Sequence, residues 1–239
     1  MIRRFLDLLF PPLCELCGEL QSHGINICDS CFESLPRIKD PFCRKCGEEF
    51  PGQIDDEFAC PNCTEIELAF EFARSPLSAS QGARALIHSL KYRSRFYLSS
   101  DLARFLLEVL GNDPRLADLP KNTLLVPVPL HWVRQQKRHG NQALELAKSL
   151  ARLSGIPLCP ALKRTRRTQT QTRLTRKERL TNLKGAFQIR PKMLPELENA
   201  TVLLIDDVFT TGSTSHECAK LLSAKGKAAR IIILTLVRG

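Results

Sequence analysis

The chain has 239 residues, 43% of them hydrophobic, which allows one domain of ordinary size together with a small appendage. No apolar run approaches the ~20 residues that cross a bilayer, so we expect no transmembrane segment. The formal net charge is +10, but residues 1–65 carry 6 basic and 12 acidic side chains, so the surplus lies in residues 66–239 and predicts anionic partners such as phosphates, nucleotides or nucleic acid.

The chain begins with MIRRFLDLLFPP, in which apolar residues recur at helical spacing from Ile2 to Leu9. Asp7 interrupts this patch and no small-residue cleavage site follows, so we expect no signal peptide. The pattern predicts a short amphipathic helix that docks on the body of the protein and ends at Pro11. A membrane-surface role is the weaker alternative, because the segment is short and carries Asp7.

Eight of the ten cysteines form four C-x-x-C pairs, with intervals of 10, 11 and 13 residues between pairs. One such pair places two thiolates on a metal ion, and two pairs complete a closed tetrahedral zinc site. In CELCGE and CRKCGE, a glycine follows the second cysteine, where a zinc knuckle often needs a left-handed residue. We therefore predict two structural Zn²⁺ sites in a loop-rich double zinc-ribbon module over residues 1–68. Its expected ligands are Cys14, Cys17, Cys28, Cys31, Cys43, Cys46, Cys60 and Cys63.

Sequential pairing would give one site from the first four cysteines and a second from the last four, and the spacing leaves interleaved pairing open. A disulfide framework would need an oxidising compartment, and no export signal supports one. A thioredoxin-like redox role is disfavoured because the pairs recur without βαβ surroundings. We expect a cytoplasmic protein, with the lone Cys159 and Cys218 as small core residues.

Beyond residue 68 the pattern changes to apolar strands that alternate with amphipathic helices. Strands buried along their whole length, alternating with helices, predict a doubly wound, mainly parallel sheet covered on both faces. We assign residues 69–239 to this α/β domain. Its predicted strands cover 123–130, 201–205 and 230–237, and its predicted helices lie within 76–110, 141–155 and 215–226.

The run VLLIDDVFTTGST, residues 202–214, ends an apolar strand in two adjacent acids. In open α/β sheets, ligands bind at the carboxyl ends of strands. The residues that follow lead into a helix and offer N–H groups and hydroxyls to an anion. A ligand that carries a phosphate beside a pair of hydroxyl groups would satisfy both the loop and the carboxylates. The plainer alternative is a helix N-cap region with an acidic turn.

This run resembles the PRPP-binding motif of type I phosphoribosyltransferases, in which an apolar strand and two acids precede T-T-G-x-T. The resemblance implies that Asp206 and Asp207 hold the ribose hydroxyls, partly through Mg²⁺. It also implies that residues 210–214 cradle the 5′-phosphate. The PRPP-binding residues on this basis are Val208, Thr210, Thr211, Gly212, Ser213 and Thr214.

Several further blocks, taken in order with the cysteines, resemble the ComF family, which combines a zinc module with a phosphoribosyltransferase domain. They are LLFPPLCELCG, LIHSLKYRSR, LVPVPLHWVRQQKRHGNQA and RTRRTQTQTRLTRKERLTNLKGAF. The family is associated with DNA uptake in natural transformation. One block departs from the family form R-G-F-N-Q, because this chain has Arg138-His139-Gly140-Asn141-Gln142 and lacks the aromatic.

The resemblance also suggests which cations neutralise pyrophosphate or lie on a loop that closes over PRPP. Residues 163–184 carry 9 basic and 1 acidic side chain, which alternatively could form a nucleic-acid track, although this segment holds no aromatic residue for base stacking. An ordinary cationic surface is the third interpretation. The candidates are Lys91, Arg93, Arg134, Arg138, Arg176 and Arg179.

Two classes of function follow. The first is an enzyme that transfers phosphoribose from PRPP to an unidentified acceptor. The second is a non-catalytic accessory or scaffold protein of DNA uptake, which binds single-stranded DNA or docks a helicase and uses PRPP as a regulator. The intact aspartate pair favours ligand binding, whereas no general base can be named from the sequence.

Overall fold

The computed structural model describes residues 11–22, 25–50, 52, 59–64, 67–92, 95–137, 139–166 and 182–239. The predicted N-terminal helix lies outside these residues. The strands of the described part are β1 (Ala73–Arg74), β2 (Leu77–Ser78), β3 (Thr123–Pro127), β4 (Leu162–Arg164), β5 (Phe187–Ile189), β6 (Thr201–Phe209) and β7 (Arg230–Arg238). The helices are α1 (Asp29–Ser34), α2 (Pro61–Thr64), α3 (Gln81–Tyr92), α4 (Ser99–Asn112), α5 (Trp132–Lys137), α6 (Gln142–Ser154), α7 (Leu194–Leu197) and α8 (Ser213–Ala224).

The central sheet is parallel throughout its described pairings. Its order is β1, β7, β6, β3, and β2 continues along the same edge of β7 as β1. The remaining strands, β4 and β5, form a separate antiparallel pair. This arrangement confirms the parallel sheet that the unbroken apolar strands predicted.

Alternate residues of β6 enter two different hydrophobic clusters. Leu203 and Ile205 pack with the buried side chains of α3, α4 and α6, whereas Val202 and Leu204 pack with those of α8. Full burial of one such aliphatic side chain stabilises the fold by roughly 1.5–3 kcal/mol. Helices therefore cover both faces, as expected for a doubly wound sheet. In the part of the chain that the structure describes, no helix combines the length and apolarity needed to cross a membrane.

The cysteine-rich region packs against both faces of this sheet. Phe32, from the first part of the region, stacks on Phe105 of α4 with ring centroids 4.0 Å apart. Cys43, Cys46 and Cys60, from the second part, belong to the cluster on the α8 face. The two parts of the region therefore lie on opposite sides of the β1–β2 edge.

Strand β6 is longer than the sequence predicted. We expected a strand over residues 201–205, but pairing with β7 continues as far as Phe209 and Arg238. On the other side, pairing with β3 ends at Pro127, opposite Ile205. Asp206 and Asp207 therefore lie inside β6, where it extends beyond the paired part of β3.

Candidate functional site

The eight paired cysteines form two clusters, each built from consecutive pairs. Within each cluster all four sulfur atoms lie within 4.8 Å of one another. The first cluster holds Cys14, Cys17, Cys28 and Cys31, and the second holds Cys43, Cys46, Cys60 and Cys63. Sequential pairing is therefore the arrangement that the fold adopts, and interleaved pairing is excluded.

The two clusters repeat the same local geometry. Gly18 N donates to Cys14 O at 2.9 Å, and Gly47 N donates to Cys43 O at 2.8 Å. Both glycines have positive φ, 76° and 70°, a conformation that glycine adopts without steric cost. The glycine after each knuckle is thus explained by the turn that wraps the chain around the sulfurs.

The sulfur positions fit zinc. A tetrahedral site with Zn–S bonds near 2.3 Å requires sulfur atoms about 3.8 Å apart. The observed Cys17–Cys28 and Cys46–Cys60 sulfur distances are 3.8 and 3.6 Å. The clusters are therefore structural zinc-ribbon sites, with four protein ligands each and no open position for a substrate.

The thiols of the second cluster are close enough to shift one another's pKa. Hydrogen bonds from Cys46 and Cys63 hold the pKa of Cys43 well below its ordinary value, and the reciprocal contact raises the pKa of Cys63. One thiolate thus forms at the expense of another. A divalent cation removes this conflict because it stabilises every ligand as a thiolate.

The predicted aspartate pair lies at the carboxyl end of the sheet. Asp207 is buried, and Lys91 Nζ lies 3.1 Å from its Oδ2. Asp206 is partly exposed, and its Oδ1 accepts a hydrogen bond from Asp207 N at 2.9 Å. The structure therefore brings Lys91 from α3 to the acidic pair, in a position to balance its charge.

The loop after β6 leads directly into helix α8. Gly212 has φ of 74° and is the N-cap residue of α8, so no side chain occupies the cap position. Thr211 Oγ1 and Ser213 Oγ lie 2.9 Å apart. The N–H groups of the first helical turn have no partner within the helix, and the positive end of the helix dipole lies here. The loop thus combines backbone donors with hydroxyls, as an anion site requires.

A close contact explains the glycine of this loop. A Cβ on Gly212 would lie 2.7 Å from Cζ of Phe209, which is too near for any other residue without displacement of the ring. The Phe209 ring contacts Phe70 edge-on, with centroids 6.0 Å apart. The Phe209 ring therefore packs between Phe70 and the loop.

The contacts of residues 139–141 explain how the chain accommodates its departure from the ComF pattern. His139 occupies the position of the family glycine and has φ of 55°, a left-handed conformation. Gly140 occupies the position of the missing aromatic, and a Cβ there would lie 2.8 Å from the Phe96 ring. Asn141 caps helix α6 and donates to Val128 O at 3.0 Å. Phe96 thus fills the space beside Gly140.

The structure places the other predicted cations unevenly. Lys91 lies at the acidic pair, and Arg134 lies on helix α5. The remaining four fall outside the described residues, so their roles stay predictions. They are Arg93, Arg138, Arg176 and Arg179. The two lone cysteines, Cys159 and Cys218, are buried in the core as predicted.

Three residues that contact the elements carrying this site were missed from the sequence. Arg238 contacts the loop carbonyls, Glu15 binds Arg95 and Ser89 beside Lys91, and His216 accepts a hydrogen bond from Ala69 N at 3.1 Å. No local pattern marks them, because each acts on a partner distant in the chain. For Glu15, the position inside a C-x-x-C knuckle was the one available signal.

Comparison with known families supports both halves of this description. Residues 5–65 match the double zinc ribbon domain, and residues 127–239 match the phosphoribosyl transferase domain. The α/β part thus has the phosphoribosyltransferase fold and joins a double zinc ribbon, which defines the class of protein.

Relatives cover most of the chain. Competence protein F of Haemophilus influenzae is 32% identical over 210 residues, which is 87% of this chain and 89% of the relative. DNA utilization protein YhgH of Escherichia coli is 33% identical over 225 residues, 93% of this chain and 95% of the relative. Competence protein ComFC of Bacillus subtilis is 29% identical over 248 residues, 95% of each chain. The chain belongs to the ComF family of competence and DNA utilization proteins.

Proposed function

We propose that the protein binds PRPP with Mg²⁺ and transfers its phosphoribosyl group to an acceptor. The observation that carries this proposal is the order of features along one segment. Two carboxylates lie in the part of β6 that extends beyond β3, and a hydroxyl-rich loop follows at the start of α8, where no side chain caps the helix. A ribose diol can donate to the carboxylates while the 5′-phosphate accepts from the loop. We propose that the domain carrying this site begins after residue 68.

The reaction would proceed at C1 of the ribose. The bond from C1 to the pyrophosphate oxygen breaks, and pyrophosphate leaves with the electron pair. A lone pair of the acceptor forms the new bond, and the acceptor proton passes to water or to pyrophosphate. Positioning and charge neutralisation supply most of the rate enhancement in such a step. Mg²⁺, when bound, would neutralise the pyrophosphate.

Lys91 would have two successive roles. Before PRPP binds, its ammonium balances the buried carboxylate of Asp207 at 3.1 Å. Once the ribose diol donates to that carboxylate, the ammonium would become available to the pyrophosphate, which carries more negative charge. Both side chains are largely shielded, 20% and 11% exposed, so their attraction is screened less than at an open surface.

A cavity beside this site offers room for an acceptor. It has a volume of about 210 Å³ and lies between the segment after β3 and strand β4. Pro129, Leu130 and Leu144 supply apolar walls, while Lys163 and Arg190 supply positive charge. Because Pro127 also lines it and pairs with Ile205, the cavity begins next to the aspartate pair.

Calorimetry with PRPP and Mg²⁺ tests the binding site. The double variant Asp206→Asn/Asp207→Asn should bind at least about 100-fold more weakly, because it loses two charge-assisted hydrogen-bond acceptors. Glu198→Gln is the matched control, since Glu198 pairs with Lys227 at 2.9 Å on the surface. Equal affinities in wild type and the double variant would refute the assignment.

A second candidate function is contact with single-stranded DNA. Tyr92 and Tyr97, the two tyrosines of the chain, are 62% and 53% exposed near Lys91 and Arg95. They offer the stacking surfaces that the basic stretch lacks. The names of the relatives, which refer to competence and DNA utilization, agree with this candidate.

Anisotropy with a labelled oligothymidylate across a salt series tests this contact. Tyr92→Leu should weaken binding by about 1–3 kcal/mol through loss of stacking, whereas Tyr92→Phe should retain it. Equal affinities for these two variants would reject the stacking role.

A helicase partner for the zinc ribbons remains a prediction. We also propose a cytoplasmic location, because zinc-bound thiols persist in reducing compartments.

A further inference from the structure

Arg238, at the end of β7, joins the second zinc ribbon to the phosphate-binding loop. Its Nη1 donates to Phe209 O at 3.3 Å and to Thr210 O at 3.0 Å. Its Nη2 donates to Glu48 Oε2 at 3.1 Å and lies 3.7 Å from Cys46 Sγ. The side chain is only 10% exposed. One guanidinium therefore contacts a zinc ligand and the two residues where the strand becomes the loop.

The surroundings of Arg238 form a closed structural unit. Its guanidinium carbon lies 5.3 Å from the centroid of Phe209, the ring that supports Gly212. A small cavity of about 60 Å³ lies between ribbon and loop, lined by Cys46, Asn62, Phe209, Thr210, Thr211 and Arg238. The space is too small for PRPP, so this is a supporting contact and not a second ligand site.

The contact fixes the direction of the loop amides. In a planar trans peptide, the C=O and the following N–H point in opposite directions. Because Phe209 O and Thr210 O point to Arg238, the N–H groups of Thr210 and Thr211 point away from it. Phe209 O also accepts a hydrogen bond from Gly239 N at 2.9 Å, so a change in the position of the guanidinium would turn chiefly the N–H group of Thr211, which follows Thr210 O.

We propose that Arg238 is a positioning residue that couples the second zinc site to phosphate binding by the loop. Cys46 and the other three cysteines of this cluster would hold zinc as thiolates, and their net negative charge together with Glu48 would hold the guanidinium. The guanidinium in turn holds the carbonyls that orient the loop. This inference rests on the proposed PRPP site, and it adds that the ribbon is part of that site.

Three variants and one control test the coupling in the full-length, zinc-loaded protein. Arg238→Met removes the donors, Arg238→Lys keeps the charge but not the fork of donors, and Glu48→Gln weakens the anchor. The control is Arg230→Met on the same strand, where Arg230 pairs with Glu71 and is 30% exposed. Metal analysis and thermal unfolding establish that each variant is loaded and folded.

We expect Arg238→Met to weaken PRPP binding by about tenfold or more, which corresponds to the loss of one charged hydrogen bond. Arg238→Lys and Glu48→Gln should fall between this variant and wild type, and Arg230→Met should bind like wild type. Coupling between sites is reciprocal. Saturating PRPP should therefore make one of the two zinc ions harder to remove by a competing chelator in wild type, and not in Arg238→Met.

Wild-type affinity in a zinc-loaded Arg238→Met would overturn the proposal. If Arg238→Met does not fold, wild-type affinity in both Arg238→Lys and Glu48→Gln would overturn it instead. If wild type binds no PRPP, the proposed function fails, and amide hydrogen exchange of residues 209–214 tests the positioning role alone. Faster exchange in the Arg238 variants than in Arg230→Met would support that role, and equal exchange would refute it.

Discussion

The two zinc ribbons repeat one local geometry but have different neighbours. In the first ribbon, Glu15 binds Arg95 and accepts from Ser89 at 2.7 Å, which holds the end of the helix that carries Lys91. In the second, Cys46 and Glu48 contact Arg238, which holds the start of the loop after β6. The knuckle sequence thus determines the metal site, whereas the packing of each ribbon determines which part of the proposed ligand site it contacts.

Loss of a zinc ligand should separate the ribbons most strongly. Cys43→Ser and Cys14→Ser change equivalent ligands, and each should lower the zinc content from two ions to one per chain. Both should destabilise the protein severely, because structural zinc supplies on the order of 10 kcal/mol of binding free energy. Among the folded molecules, we expect Cys43→Ser to lose PRPP binding and Cys14→Ser to retain most of it. Metal analysis with calorimetry measures both effects, and the opposite order would contradict the comparison.

The loop glycine offers the next largest effect. Gly212→Ala must adopt φ of 74° and displace the Phe209 ring, so it should cost about 1–3 kcal/mol of stability and impair PRPP binding. Gly155 is a matched control with the same φ and no atom within 4 Å of an added Cβ. Gly155→Ala should cost about 1 kcal/mol and leave binding unchanged. Chemical unfolding measures the stability of each variant, and calorimetry measures its PRPP affinity. Equal losses of both quantities in the two variants would contradict this prediction.

Replacement of Glu15 should mainly lower stability, whereas replacement of Glu48 should mainly lower PRPP affinity. The Glu15 side chain is 7% exposed, and its replacement by Gln should destabilise the protein by about 1–3 kcal/mol through loss of charged hydrogen bonds. Glu48→Gln should cost less stability, because the Glu48 side chain is 35% exposed, but more PRPP affinity. Denaturant titrations paired with calorimetry test this exchange of effects. Parallel losses in both variants would mean that the ribbons do not have separate roles.

The smallest expected effect concerns pH. Burial lowers the pKa of His216 below its ordinary 6.5, an effect that Glu217 opposes and Lys220 reinforces. As the pH falls below about 6.5, the unfolded chain takes up a proton that the folded protein resists, so stability decreases. His216→Gln does not titrate and should lose less stability between pH 7.5 and 5.5. If the unfolding free energies of wild type and His216→Gln change equally over this pH range, the lowered pKa of His216 is contradicted.

Much of the architecture follows from local sequence patterns. The C-x-x-C spacing predicted both clusters, and the glycine after each knuckle predicted the left-handed turn. Uninterrupted apolar runs predicted β6 and β7, and the helix over 141–155 was confirmed as Gln142–Ser154, followed by the left-handed Gly155. These features depend on neighbours a few residues apart, so the sequence contains the necessary information.

Other features depend on tertiary pairing and could not be predicted. The extension of β6 to Phe209 follows from its register with β7, which also brings Arg238 to the loop. The contact between Lys91 and Asp207 joins residues more than a hundred positions apart. Likewise, Phe96 fills the space beside Gly140 although no sequence pattern links them. Long-range register and packing therefore complete a site whose acidic pair and loop were visible in the sequence.

A crystal structure with PRPP and Mg²⁺ bound tests the central claim most directly. We predict that the ribose hydroxyls contact Asp206 and Asp207, that the 5′-phosphate lies on residues 210–214, and that Lys91 Nζ has moved from Asp207 to the pyrophosphate. PRPP bound elsewhere, with the Lys91–Asp207 pair intact and the loop empty, would contradict the account.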